Sequence, residues 1–145
     1  IYNETLRDRV CAVSTKTHYN EMNVLSMHAL IGAYQPQGYE WVDELNQVLA
    51  GNIEYFCTYA EKHWKGVAFS RPQGTYMVFL DCTEWCREHG RDIQWLLDEG
   101  ARVGVGYQDG RPFHGPCHIR VNLALPLSRV REACDRLDRY VFNAR

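Results

Sequence analysis

The chain has 145 residues, which is the usual length of one domain that buries its own core. Its net charge of −2 and its lack of Lys/Arg runs argue against a basic surface that would bind nucleic acid or an anionic membrane. No apolar stretch approaches the roughly 20 residues that cross a bilayer, and no signal-peptide pattern opens the chain. We therefore expect a single cytoplasmic domain at residues 1–145, with no nucleic-acid or membrane partner.

The first third of the chain predicts two helices. Leu6, Val10 and Val13 recur at helical spacing and predict a helix that starts near residue 3. After a polar break at residues 20–23, "NVLSMHALIGAY" predicts a second helix, which "QPQG" should end. Because the chain opens inside a helical pattern and without an initiator Met, we expect it to be a fragment of a longer protein.

The middle of the chain predicts one long helix and then a change of period. Residues 39–64 carry an apolar stripe at spacings of three and four, which is typical of an amphipathic helix. The stripe consists of Trp41, Leu45, Val48, Leu49, Ile53, Phe56 and Ala60. "VAFS" and "TYMVFLD" then predict two strands joined by the turn "RPQG".

The last third predicts two further strands among helices. Short helices are expected at residues 83–88 and around residues 93–97, the second ended by Gly100. "VGVGY" and "HIRVNLAL" predict strands separated by the polar loop "QDGRPFHG", and residues 127–142 predict a final helix. The order predicts an α+β fold in which about four strands are packed by helices on one face, preceded by the long amphipathic helix.

The six cysteines do not indicate a disulfide framework. Cys11, Cys57 and Cys134 stand among apolar neighbours in helical patterns, where a free thiol behaves as a small hydrophobic group. Cys82, Cys86 and His89 share a helical spacing, but a zinc site needs a fourth ligand at a comparable spacing. We expect these residues to pack rather than to bind a metal.

Arg120 is the residue in the chain whose position most clearly requires an anionic partner. It lies in "HIRVNLALP" between apolar residues, and a buried guanidinium costs several kcal/mol unless an anion pairs with it. Its planar donors match a carboxylate through two parallel hydrogen bonds. From the residues alone, the partner is either an internal acid such as Asp81 or Glu84, or a bound ligand.

Several segments, in order, resemble the C-terminal part of the class I/II (fold type I) aminotransferases that depend on pyridoxal phosphate (PLP). "NVLSMHALIGAY" with the long helix is similar to the family's alanine-tyrosine, glycine, tryptophan-leucine-aspartate stretch and the long helix that follows it. "RPQGTYMVFLD" is similar to the family's proline, glycine-threonine-tyrosine strand. "VGVGYQDGRPFHG" resembles its phenylalanine-glycine segment, which His114 interrupts in this chain, and "HIRVNLALPLSRVREACDRL" resembles its arginine strand and last helix. The cystathionine β-lyase-like, or C–S lyase, branch is the most similar.

The resemblance implies roles for individual residues. Arg120 matches the arginine that binds the α-carboxylate of an amino-acid substrate, and Asn122 is expected to support it on the same strand face. The cofactor lysine of the family should lie upstream of Ile1, so Lys16 is expected to be a surface residue. The chain is thus expected to contain no catalytic, cofactor-binding or metal-binding residue.

The leading hypothesis is a substrate-binding fragment of a PLP-dependent aminotransferase or C–S lyase, inactive alone. PLP, the N-terminal large domain and homodimer formation would belong to the full-length enzyme. The alternative is a free-standing module that binds a carboxylate or mediates dimerisation without catalysis. The sequence does not separate transamination from C–S bond cleavage, because that choice depends on groups outside the chain.

Overall fold

The structure is a computed structural model that describes residues 1–18 and 21–144. Their contacts group into two compact units, Ile1–Asp43 and Glu44–Arg145. In the described part of the chain, no helix is both long and apolar enough to cross a membrane. The expectation that residues 1–145 form a single domain stays a prediction.

The first unit is helical. Asn3 begins α1 (Glu4–Thr17) by accepting a hydrogen bond from the Leu6 backbone, and Asn23 does the same for α2 (Val24–Ala33) with the Ser26 backbone. The predicted polar break at residues 20–23 lies partly outside the described residues. The predicted start of the long helix at Tyr39, after the "QPQG" break, is wrong, because Pro36 is already the first residue of α3 (Pro36–His63).

The second unit contains the sheet and the remaining helices. The strands are β1 (Ala68–Phe69), β2 (Met77–Asp81), β3 (Gln108–Asp109) and β4 (His118–Asn122). They pair antiparallel in the order β1-β2-β4-β3. The helices are the C-terminal part of α3, α4 (Thr83–His89), α5 (Ile93–Arg102) and α6 (Leu127–Leu137), which a π-helical turn at Asp138–Phe142 extends.

One face of the sheet carries the core. Alternation along β2 and β4 buries Val78 and Leu80 beside Ile119 and Val121. The helices contribute Phe56, Cys57, Ala60, Trp85, Cys86, Leu96, Val130, Cys134 and Leu137 to the same cluster. The α+β fold, with four strands packed by helices on one face after a long helix, is therefore confirmed.

The strand predicted from "VGVGY" is wrong. Residues 103–107 leave α5 in a turn in which Gly104 has a φ of +75°, a backbone conformation that favours glycine. Val103 and Val105 still pack against the core, which explains their apolar pattern. The strand starts only at Gln108, inside the segment predicted as a polar loop, because its two residues pair with Ile119 and Arg120.

Asn52 anchors the chain that leaves β4. It is a buried polar residue on α3, and its Nδ2 donates to the carbonyl oxygens of Leu123 at 2.8 Å and Leu125 at 2.7 Å. Buried polar groups are stable only when they are hydrogen-bonded. This side chain therefore fixes where the segment after Asn122 runs.

Candidate functional site

The face of the sheet opposite the core holds the candidate site. Because side chains alternate along a strand, His118, Arg120 and Asn122 project together from β4 while their neighbours enter the core. The antiparallel register places Arg120 between Phe79 of β2 and Gln108 of β3. The half-buried position of Arg120 thus follows from strand alternation, with the apolar residues of "HIRVN" on the other side.

Arg120 has a neutral hydrogen-bond partner and an aromatic support. Its Nε donates to Oε1 of Gln108 at 2.7 Å, and its Nη2 donates to the same oxygen. Its Cζ lies 4.0 Å from the centroid of the Phe113 ring, which is a cation–π contact. A single amide oxygen leaves guanidinium donors available and leaves the positive charge without a counter-charge.

The internal acids named as possible partners of Arg120 are engaged elsewhere. Asp81 accepts hydrogen bonds from the backbone N–H and the hydroxyl of Thr83, at 2.9 and 2.5 Å. Glu84 forms its ion pair with Arg87, in the next turn of α4. Among residues 1–18 and 21–144, Arg120 forms no ion pair. Its charge is therefore open to an anion from outside.

His118 and Asp81 form a second polar pair on the same face. The Nε2 of His118 lies 3.8 Å from Oδ2 of Asp81, and the imidazole stacks on Phe79 with centroids 4.7 Å apart. Burial raises the pKa of Asp81, but the Thr83 hydrogen bonds and the field of His118 outweigh it and lower the pKa overall. Asp81 and His118 line an open cleft of about 420 Å³ with Ala68, Phe69, Ser70 and Phe79.

The loop between β3 and β4 covers part of this face. Its 3-10 helix (Arg111–Phe113) presents the ring on which Arg120 rests. Gly115 is buried so tightly that a Cβ there would stand 2.6 Å from the His118 side chain and from the Phe79 ring. The loop is held at its other end by Arg111, which donates to Asp109 at 2.7 Å through Nε. The glycine thus allows the loop to lie directly on the sheet.

The other residues that the sequence singles out have contacts or exposure unrelated to Arg120. Asn122 shares the face of Arg120, but its Oδ1 accepts from the Ala124 backbone at 2.8 Å and shapes the end of the strand. Lys16 is exposed in the last turn of α1. Cys82 and Cys86 are buried, whereas the His89 ring stacks on Trp85. In the described residues, no group of three His, Cys, Asp or Glu could hold a metal ion.

Sequence reasoning missed two residues that contact Arg120. The sequence predicts a loop at Gln108, but the β3–β4 pairing brings this residue opposite Arg120, 12 residues later in the chain. Phe113 belongs to the segment that resembles the family's phenylalanine-glycine segment, but only the fold of the loop brings its ring against the guanidinium. An aromatic residue in such a loop is a usable signal, but the sequence does not specify its contact.

Comparisons with known proteins show what the chain as a whole is similar to. No protein-family model matches the chain. A protein of Mycobacterium leprae named "Putative cystathionine beta-lyase" is 33% identical over 124 residues, which cover 74% of this chain and 30% of that protein. The PLP-bound C–S lyase of Staphylococcus hominis superposes with a TM-score of 0.75 at 25% identity, covering 95% of this chain and 35% of its own.

The resemblance to the C–S lyase branch of the PLP-dependent enzymes is confirmed. The structure named "PLP-bound putative aminotransferase" from Clostridium difficile 630 shares the fold, with a TM-score of 0.78 and 23% identity over 95% of this chain. The chain spans about a third of the length of these C–S lyase and aminotransferase relatives. It therefore matches one part of each of these longer proteins.

Proposed function

We propose that the chain is the C-terminal, substrate-binding part of a PLP-dependent C–S lyase or aminotransferase, in which Arg120 binds the α-carboxylate of an amino acid. The observation that carries the proposal is the half-buried guanidinium of Arg120, which has a neutral partner in Gln108 and, among the described residues, no carboxylate partner. A carboxylate supplies the charge and the two parallel acceptors that the guanidinium lacks.

The surroundings of Arg120 favour binding over simple exposure. The Phe113 ring supports one face of the guanidinium, and the Gln108 bond fixes its orientation, so little rotamer entropy is lost when a ligand binds. Partial burial also reduces solvent screening of the charge. Hydrogen bonds to charged groups contribute about 1.5–3 kcal/mol each, which suffices for selective recognition of a carboxylate.

PLP itself does not fit the residues of this chain. PLP enzymes hold the cofactor through a lysine and use its ring as an electron sink. The lysines of the chain are Lys16, Lys62 and Lys65, and all three are exposed. We therefore assign the cofactor lysine to a segment upstream of this chain and assign to this chain only the binding of substrate. The fragment alone should be inactive.

The role of Arg120 is tested in the full-length enzyme with an amino-acid substrate and its carboxamide. We expect Arg120→Gln to raise KM for the acid at least tenfold and to leave the much poorer reaction of the amide nearly unchanged, because the amide lacks the charged group. The matched control is Arg91→Gln, since Arg91 also stacks on an aromatic ring, 4.7 Å from the centroid of Trp95, but away from the site. Equal losses for acid and amide would refute the proposal and favour a structural role.

The proposed place of the cofactor lysine is tested with the chain alone. PLP mixed with the purified chain should give no stable absorbance band that borohydride reduces and fixes. A reducible adduct on Lys16 would contradict the upstream assignment. Carboxylate binding by the chain without an upstream enzyme segment in the same reading frame would favour the free-standing module instead.

Two further parts of the proposal concern partners and location. The first unit exposes apolar side chains that a large domain or a second subunit would cover: Leu6, Val10, Val13, Val24, Leu25, Leu30 and Ile31. We propose a cytoplasmic homodimer for the full-length enzyme. Light scattering should show that the isolated chain self-associates, and a well-behaved monomer at all concentrations would contradict this expectation.

A further inference from the structure

Three cysteines meet where β2 leads into α4 and where β4 begins. The Cys82 backbone N–H donates to the Cys117 carbonyl at 2.9 Å, which continues the β2–β4 ladder one pair beyond Asp81 and His118. Residues opposite each other in an antiparallel pair point to the same face, so Cys82 and Cys117 both face the core. Cys86 follows one helical turn after Cys82, and its N–H donates to the Cys82 carbonyl at 2.9 Å.

Within this thiol cluster, defined as Cys82, Cys86 and Cys117, the surroundings of each sulfur differ. The thiol of Cys86 interacts with that of Cys117, and burial together with this contact raises the pKa of Cys86. The Cys82 thiol is directed instead at the Leu80 carbonyl, 3.9 Å away, and is completely buried. Cys117 is the member of the cluster with partial access to solvent. Cys86 is therefore the member of the cluster whose thiol shares a hydrogen bond with Cys117, whereas the Cys82 thiol is directed at a carbonyl oxygen.

We propose that Cys86 and Cys117 are a site of oxidative modification that forms a disulfide when a hydroperoxide reaches the loop before β4. The Cys117 sulfur attacks the O–O bond of the hydroperoxide, takes one oxygen as a sulfenic acid and releases an alcohol or water. The Cys86 sulfur then attacks the Cys117 sulfur, the S–S bond forms and water leaves. Two thiols thereby lose two electrons and two protons, and the hydroperoxide is reduced by two electrons.

The position of this bond gives it a structural consequence. Cys117 directly precedes β4, and the loop of residues 110–117 carries Phe113 and Gly115, which contact the outer face of the sheet. A disulfide to α4 would tie the end of that loop to the core-side helix. Because Cys86 stays protonated at neutral pH, we expect a reaction over minutes to hours rather than the rapid response of a dedicated peroxide sensor.

Peptide mapping of the oxidised protein tests the pairing. Trypsin does not cleave before Pro72 or Pro112, so Cys82 and Cys86 fall in peptide 66–87 and Cys117 in peptide 103–120. After hydrogen peroxide treatment, denaturation and alkylation, we expect these two peptides joined and separated again by dithiothreitol. The joined mass should be the sum of the two peptides less two hydrogens, plus one alkyl group on the remaining cysteine. Fragmentation of the joined peptide should place the bond on Cys86.

Serine variants provide the controls. Cys86→Ser should abolish the joined peptide, whereas Cys82→Ser and Cys134→Ser should retain it, because those thiols face other groups. A bond from Cys82 to Cys117, a bond within peptide 66–87, or alkylation of all six thiols after peroxide would each overturn the proposal. Since fragmentation of the wild-type peptide assigns the sulfurs directly, the result stands even if Cys86→Ser does not fold.

Discussion

Replacing Asn52 by alanine is the sharpest test of how the segment after β4 is held. Asn52 is 1% exposed on α3, and its amide makes two hydrogen bonds to the carbonyls of Leu123 and Leu125. The Leu123 carbonyl keeps a second donor, the backbone N–H of Leu125 at 2.9 Å. Leu125 is exposed, so water can satisfy its carbonyl once the amide is removed. Neither acceptor is therefore stranded in the variant.

The expected cost follows from these contacts. Two neutral hydrogen bonds contribute about 1 kcal/mol each, and the small cavity left by the amide adds about 0.5–1 kcal/mol. Alanine returns about 0.5 kcal/mol through its higher helix propensity. Asn52→Ala should therefore lower the free energy of unfolding by about 2 kcal/mol, or the melting temperature by about 4–8 °C for a chain of this size.

Urea unfolding followed by tryptophan fluorescence measures this cost, because Trp64 and Trp85 are buried and report on the core. Asn46→Ala is the matched control, since Asn46 lies on the same helix but is exposed. It should leave the free energy of unfolding unchanged or slightly higher. A loss below about 0.5 kcal/mol for Asn52→Ala would refute the anchoring role of Asn52.

Two further predictions concern the outer face of the sheet. Thr83→Val should raise the pKa of Asp81 in the folded protein and move acid unfolding to higher pH. The ionised carboxylate stabilises the fold above the unfolded pKa of about 3.9, and this stability is lost as the pH falls through the lowered folded pKa. An unchanged pKa in an NMR titration of that carboxyl would show that the Thr83 hydroxyl is not what lowers it. Gly115→Ala should cost about 1–3 kcal/mol in urea unfolding, since its Cβ would stand 2.6 Å from the His118 side chain. Gly106→Ala, where a Cβ meets no atom within 4 Å, is the control, and equal stability of the two variants would count against the tight loop.

Local patterns predicted most of the elements. The apolar spacing from Tyr39 to Trp64 corresponds to α3, and the alternation in "TYMVFLD" and "HIRVNLAL" corresponds to β2 and β4. The segment "VGVGY" does not form its predicted strand, since it has the apolar alternation of a strand but lacks a partner strand beside it. Burial alone produces such a pattern, whereas a strand also requires a neighbour for its backbone hydrogen bonds.

The sequence predicts the central residue of the candidate site but not the contacts of that residue. Arg120 stands out from the sequence because a cation among apolar residues requires an explanation. Its actual contacts with Gln108 and Phe113 depend on the β3–β4 register and on the path of the loop, which involve separations of 12 and 7 residues. Propensity and periodicity carry no information about such contacts, because they act over a few residues only.

The sequence by itself determined the class of the fold, most of the order of its helices and strands, and the resemblance from which the role of Arg120 is proposed. Those features follow from side-chain periodicity and from motifs that are local in the chain. Tertiary structure decided that Arg120 lies on the outer face beside a neutral amide, and that Cys82 lies opposite Cys117 at the end of the β2–β4 ladder. Both results depend on strand pairing, which joins residues far apart in sequence and so sets where each charge and each thiol finds its neighbours.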